Sequence, residues 1–135
     1  MYSKILIPVM LDGEHDPAPS YEAATALASD GAELVVLHVM EAIPSYIASE
    51  IPEAALNKTW NDTEAALEAA ASALPGGTAM LVKGHAGRTI LDYAENNGVD
   101  CIVIASHKPG VADYFLGSTA ARVVRHAGCS VHVIR

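Results

Sequence analysis

Two short stretches near the C-terminus carry the residues best suited to holding an anion. Gly117-Ser118-Thr119 stands immediately before an apolar helical pattern, and Ser106-His107-Lys108 leaves an apolar run, with Gly110 close behind. A helix start presents N–H groups that no carbonyl of the same helix accepts, together with the positive end of a macrodipole, so it attracts negative charge. Gly117 lets a ligand approach the backbone without meeting a Cβ, and the Ser118 and Thr119 hydroxyls add donors. Lys108 is the cation that would face a phosphate, and Gly110 permits a tight bend. The chemistry these residues suggest is phosphate binding. The same Gly-Ser pair also opens ordinary helices, since Ser is among the commonest caps. Neither G-x-x-x-x-G-K-[ST] nor G-x-G-x-x-G occurs in the chain.

Other reactive side chains form weaker patterns. "DGEHD", Asp12 to Asp16, gathers three carboxylates and a histidine that could hold a divalent cation, with Asp12 as the candidate ligand; it also reads as a solvated acidic approach to a helix N-terminus, the preferred reading. The six histidines show no metal-type spacing, and His38 and His132 lie within apolar runs, where core or interface positions are expected. Cys101 and Cys129 each start a strand-like run and are expected to be reduced core thiols. Gly84 and Gly87 in "GHAGRT" are expected to permit a turn. Ser106 and His107 are adjacent, so on a strand they point to opposite faces and make no nucleophile-base pair.

The elements that must position these residues follow from hydrophobic patterning. "KILIPV" (4–9), "ELVVLHV" (33–39), "TAMLV" (78–82), "DCIVIA" (100–105) and "SVHVIR" (130–135) are short and rich in Val and Ile, and predict five strands. Runs that are apolar without alternation fit parallel strands covered on both faces, whereas "SVHVIR" alternates and suggests an edge. Between them the spacing predicts four helices. The first runs from Asp16-Pro17 to Asp30-Gly31, and the second is centred on "TEAALEAAASAL" and ends at Pro75-Gly76-Gly77. The third spans about Arg88 to Asn97. The fourth places Ala120, Val123, Val124 and Ala127 on one face and Arg122, Arg125 and His126 on the other. Residues 40–62 read as a long connection containing Pro44, Pro52 and Trp60.

Strands alternating with helices imply an α/β fold, a parallel sheet with right-handed crossovers and helices on both faces. Ligands in such open sheets bind beyond the carboxyl ends of the strands, where the strand order reverses. For the order 3-2-1-4-5, that point lies between the first and fourth strands. The crevice would be lined by Pro8, Val9, Met10 and Leu11 and by Ala105 to Gly110.

The bulk numbers bound the function. At 135 residues the chain is the size of one domain. Sixteen acidic and eight basic residues give a formal charge of −8, which opposes generic nucleic-acid binding, so any phosphate must be held locally. No apolar run approaches the roughly 18 residues needed to span a bilayer, and residues 1–10 lack the features of a signal peptide. No membrane association and a cytoplasmic location are expected.

"IVIASHKPGVADYFLGSTAARVVRHAGCSVHVIR", with "ILIPV" near the start and "VVLHV" in the second strand, resembles the universal stress protein (UspA-type) family in its small single-domain form, and is closest to the F-type bacterial branch. The resemblance runs from Ile5 to Arg135. It implies one domain over residues 1–135, a five-stranded parallel sheet of order 3-2-1-4-5 (Rossmann-like, of the adenine nucleotide alpha hydrolase type), and ATP or ADP as ligand, alone or with Mg²⁺.

In the family's motif G-x2-G-x9-G-[S/T], Gly117 and Ser118 match the final pair and Ala105 the first glycine; Gly110 matches a glycine commonly found seven residues before Gly117. The chain departs from the pattern in reading A-S-H-K-P-G, one residue short and without the central glycine. It also carries Met10 where the family usually has an aspartate that contacts the nucleoside. Asp12 is the residue that would substitute. Val39 matches a valine that flanks the base. The nucleotide-binding set implied is therefore Pro8, Val9, Met10, Val39, Ala105, Ser106, His107, Lys108, Gly110, Gly117, Ser118 and Thr119, with no catalytic residue assigned. Function is expected to be that of a stress-response sensor or regulator, with at most slow ATP hydrolysis or autophosphorylation near His107, and a homodimer formed through Ser130 to Arg135. The alternative is a dimeric interaction module that works without nucleotide.

Overall fold

The computed structural model describes residues 1–106 and 116–135. In chain order it contains β1 (Tyr2–Pro8), α1 (Ala18–Leu27), β2 (Ala28–Met40), α2 (Ser45–Ala48), α3 (Glu53–Ser72), β3 (Gly77–Lys83), α4 (Ala86–Asn96), β4 (Cys101–Ala105), α5 (Ser118–His126) and β5 (Ser130–Ile134). The strands form one sheet in the order β3-β2-β1-β4-β5, and every paired neighbour is parallel. The order therefore reverses between β1 and β4, as the sequence predicted.

Alternation along each strand sends successive side chains to opposite faces and produces two cores. Ile5, Ile7, Leu34, Val36 and Val103 pack with Ala24 of α1 and with Leu67 and Ala71 of α3. Leu6, Val35, Leu37, Ile102 and Ile104 pack on the other face, with Ile90 and Ala94 of α4 and Ala120 and Val123 of α5. Both faces being covered explains why β1, β2 and β4 read as unbroken apolar runs.

Three local expectations are corrected. α1 stops at Leu27, short of Asp30-Gly31, because Ala28 turns extended and pairs with Tyr2, so β2 begins five residues before Glu33. The register shift between Tyr2 and Lys4 absorbs the extra residues, and Gly31 provides a positive φ of 77° there. Residues 40–62 are also largely helical. Pro44 and Pro52, which lack the N–H that a helix start leaves unused, precede α2 and α3. Finally, Val124 is 46% exposed, so the buried stripe of α5 is narrower than Ala120, Val123, Val124 and Ala127 together.

Both thiols are free. Cys101 lies in the α1/α3-side core, where burial first, then Cys129 and Asp100 nearby, push its pKa up to about 11. Cys129 packs on the opposite face of the sheet. Burial raises the pKa of the half-buried Cys129 as well, so the thiol form is favoured at both positions.

At the other end of the sheet, Asp100 ties β1 to β4. Its carboxylate accepts from Ser3 N–H (2.9 Å), Ser3 Oγ–H (3.0 Å) and Lys4 N–H (3.0 Å). Burial raises its pKa, but these donors together outweigh it and hold the carboxyl below its usual value. A depressed native pKa contributes stability above the unfolded value, and that contribution disappears as pH falls through the native one. Asp100→Asn should therefore cost about 1 kcal/mol at pH 7, the low end for bonds to a charged group at a solvent-facing site. In urea titrations the difference from wild type should shrink steadily below pH 4; a gap constant down to pH 2 would contradict this role.

Candidate crevice at the carboxyl ends of β1 and β4

A crevice of about 510 Å³ opens at the carboxyl ends of the strands. β1 and the two residues after it supply Pro8, Val9 and Met10, and β2 supplies Val39. Across from them lie Ala105 and Ser106 from the end of β4, and Gly117, Ser118 and Thr119 at the start of α5. The predicted nucleotide-binding residues that the structure describes thus line one crevice at the point of strand-order reversal, whereas Leu11, expected beside Met10, is exposed and lies outside its lining. His107, Lys108 and Gly110 lie outside the described residues.

The α5 end of the crevice has donors without acceptors. Gly117 precedes the helix with φ −59° and ψ 152°, and no side chain among the described residues caps the first turn. The Ala121 N–H reaches the Gly117 carbonyl at 2.8 Å, which starts the helix and leaves the preceding N–H groups directed outward. Ser106 is fixed beside it, its N–H donating to the Ile134 carbonyl at 2.8 Å. Its Oγ is buried and has no hydrogen-bond partner among the described residues. A Cβ built on Gly117 would stand 3.3 Å from the Ser106 carbonyl oxygen, so glycine keeps the two segments in close approach. Such an arrangement can receive an anion.

The opposite lip is built by hydrogen bonds to the end of β1. Val9 N–H donates to the Leu37 carbonyl (2.8 Å), and the Val9 carbonyl accepts from His38 Nδ1 (2.8 Å). A carbonyl only accepts, so the proton of His38 sits on Nδ1. His38, expected in a core or an interface, is half-buried on the crevice wall. Met10 is 55% exposed there.

Asp12 is already engaged. Its Oδ1 accepts from the N–H groups of Glu14 (2.9 Å) and His15 (3.1 Å), and its Oδ2 meets His15 Nδ1 at 2.7 Å. The Glu14 N–H is the largest influence lowering its pKa; His15 adds to it and burial opposes it. Among the described residues no group of three or more His, Cys, Asp or Glu side chains could hold a metal ion. "DGEHD" is therefore a turn stabilised by its own aspartate. Of the glycines of "GHAGRT", Gly84 has φ 155° and faces Thr89 Oγ1 at the turn, whereas Gly87, expected in the turn, lies inside α4, where the Arg122 side chain of α5 covers it.

Sequence reasoning missed one wall. Ser20, His15 and Pro17 from the α1 side and Glu41 after β2 also line the crevice. Ser20 was detectable in principle, since it stands four residues before the buried Ala24 and shares its face.

Comparison with known proteins agrees with this geometry. The sequence model of the Universal stress protein family matches residues 1–135. A universal stress protein of Thermus aquaticus, from the QAH/OAS sulfhydrylase 3′ region, is 31% identical, with 100% of each chain covered. The solved structure of hypothetical protein MJ0577 superposes with a TM-score of 0.81 at 25% identity, covering 99% of this chain and 96% of that one. UspA from Lactobacillus plantarum superposes at 0.72 with 27% identity, covering 99% and 98%. Two more distant structures share the fold: a universal stress protein in complex with cAMP (TM-score 0.62, 20% identity) and an Arabidopsis thaliana family protein with AMP bound (0.67, 18%). With the family model matched along its whole length, this chain belongs to the universal stress protein family.

Proposed function

We propose that the chain is an adenine-nucleotide-binding regulator of the stress response, working as a single domain in the cytoplasm. ATP or ADP lies across the ends of β1 and β4, with its phosphates over Ser106 and Gly117 to Thr119 and its base between Val9, Met10 and Val39. The observation that carries this reading is the uncapped start of α5 beside Ser106, whose buried hydroxyl has no partner among the described residues. The residues fit the group: donors converge at one end, and a side chain at Gly117 would narrow the gap. The family members with AMP and cAMP bound support the ligand class. Asp12 is committed to its own turn, so Mg²⁺ would arrive on the phosphates and not on a protein carboxylate cluster. Calorimetric titration of the nucleotide-stripped protein with ATP and ADP should show saturable binding; no heat at millimolar nucleotide would reject the reading.

A second reading, an interaction module that needs no nucleotide, is favoured by the engagement of Asp12, which leaves no substitute for the aspartate replaced by Met10. Both readings place a dimer at β5, an edge strand. Because Ser106 N–H reaches the Ile134 carbonyl, alternation turns the N–H and C=O of Val133 toward the open edge. Val133→Pro should remove an edge donor while sparing the β4–β5 ladder. Sedimentation should show a wild-type dimer whose dissociation constant rises about tenfold or more in the variant. A monomeric wild type would exclude the dimer.

A further inference from the structure

His38 keeps one polar atom free beside the residues that would flank a base. β2 outruns β1: the last β1–β2 partners are Pro8 and Leu37, while β2 continues along β3 to Met40. His38 therefore stands just past the end of that pairing, and its ring closes back over β1, with Nδ1 donating to the Val9 carbonyl at 2.8 Å. Val9 is held through its N–H as well, which donates to the Leu37 carbonyl. The backbone of His38 is fixed in turn, since it pairs opposite Leu81 of β3. Orientation and tautomer of the ring are thus set before any ligand arrives.

The tautomer decides what the free edge of the ring can recognise. With the proton on Nδ1, Nε2 of the neutral imidazole carries a lone pair and accepts. Nε2 makes no hydrogen bond among the described residues, and it is not one of the closed-off unpartnered side-chain atoms there, which are Tyr21 Oη and Ser106 Oγ. On a residue that lines the crevice, it is an open acceptor. The neighbouring side chains cannot do the same, because Val9, Met10 and Val39 present no nitrogen or oxygen. An acceptor favours an amine and opposes a carbonyl, whose oxygen would meet it lone pair to lone pair.

We propose that His38 selects the base: its Nε2 accepts from the exocyclic amine of a 6-aminopurine and disfavours a 6-oxopurine. This rests on the nucleotide reading and adds to it the atom that distinguishes adenine from hypoxanthine or guanine.

Calorimetry on the full nucleotide-free chain with ATP and ITP, which share ribose and phosphates and differ at the N1–C6 edge of the purine, tests it. Wild type should bind ATP about tenfold more tightly, the worth of one hydrogen bond. His38→Asn keeps an amide donor near the position of Nδ1 and offers nothing at that of Nε2, so it should bind the two nucleotides within about twofold of each other, by weakening ATP. Ring nitrogen chemical shifts of the wild-type protein give a second readout: saturating ATP should move the His38 Nε2 resonance, and ITP should leave it nearly in place. Equal wild-type affinities for ATP and ITP, a preference for ATP that His38→Asn retains in full, or an Nε2 resonance indifferent to bound ATP would overturn the assignment and leave the nucleotide reading standing. A wild type that binds neither nucleotide would overturn both.

Discussion

Gly117→Val should lower nucleotide affinity by about a hundredfold, the scale of two lost charge-assisted hydrogen bonds, while leaving the thermal melt nearly unchanged. The separation of the two effects follows from the backbone. With φ −59° and ψ 152°, residue 117 occupies a region open to any L-amino acid, so the substitution carries no conformational penalty. Its Cβ would stand 3.3 Å from the Ser106 carbonyl oxygen, a contact relieved by a shift of a few tenths of an ångström. The two γ-methyls would then occupy the part of the crevice lined by the uncapped start of α5 and by Ser106. Gly117→Ser provides the complementary check. A serine there can cap the first turn, adding a few tenths of a kcal/mol to stability, and its oxygen takes the same donors that a phosphate would use. It should bind nucleotide more weakly although the fold is slightly firmer. Unaltered calorimetric affinity in both variants would place the phosphates elsewhere.

The largest effect on the fold is expected at Gly76→Ala, a loss of about 3 kcal/mol out of a total in the usual range of roughly 5–15 kcal/mol. Gly76 has φ 68°, where an alanine costs about 1–2 kcal/mol from its own sterics. A Cβ there would also lie 2.2 Å from the Ala32 carbonyl oxygen, which is backbone and has no rotamer by which to move aside. The Gly76 carbonyl accepts from the Leu34 N–H at 3.0 Å, so any adjustment disturbs the start of β2–β3 pairing. Gly31→Ala separates the two contributions: its φ is 77° but nothing lies within 4 Å of a new Cβ, so only the conformational share, about 1 kcal/mol, should be lost. Urea denaturation midpoints at constant m-value measure both; equal losses at the two positions would refute the clash.

The central strands were legible because a covered parallel strand needs apolar side chains on both faces, and Ile102 to Ile104 or Leu34 to Leu37 satisfy that without interruption. Strand order came from the family resemblance, and with it the position of the crevice. The first half of α3 was hidden for a physical reason. Ala54, Ala55, Asn57, Lys58 and Thr59 are exposed, so no apolar stripe marks them. The segment's side-chain bonds are local surface contacts that leave no periodic apolar signal, a Lys58–Asp62 ion pair at 2.6 Å and the Thr59 hydroxyl bonded to the Ala55 carbonyl. The α5 side of the site was readable from Gly117-Ser118-Thr119, whose composition itself announces a helix start. The α1 wall was harder to read, because the one sign that Ser20 is buried is the face it shares with Ala24 four residues on. The engagement of Asp12 was equally hidden, being a matter of which donors its own turn directs back at it.

An amide chemical-shift titration of the nucleotide-free protein with ADP tests the central claim most directly, since it reports which N–H groups meet the phosphates. Saturable shifts should be largest at Ser118, Thr119 and Ala120, with smaller ones at Val9, Val39 and Ser106, whose own N–H is held by the Ile134 carbonyl. Amides of α5 that stay in place at millimolar ADP, with any shifts confined to β5, would contradict the account.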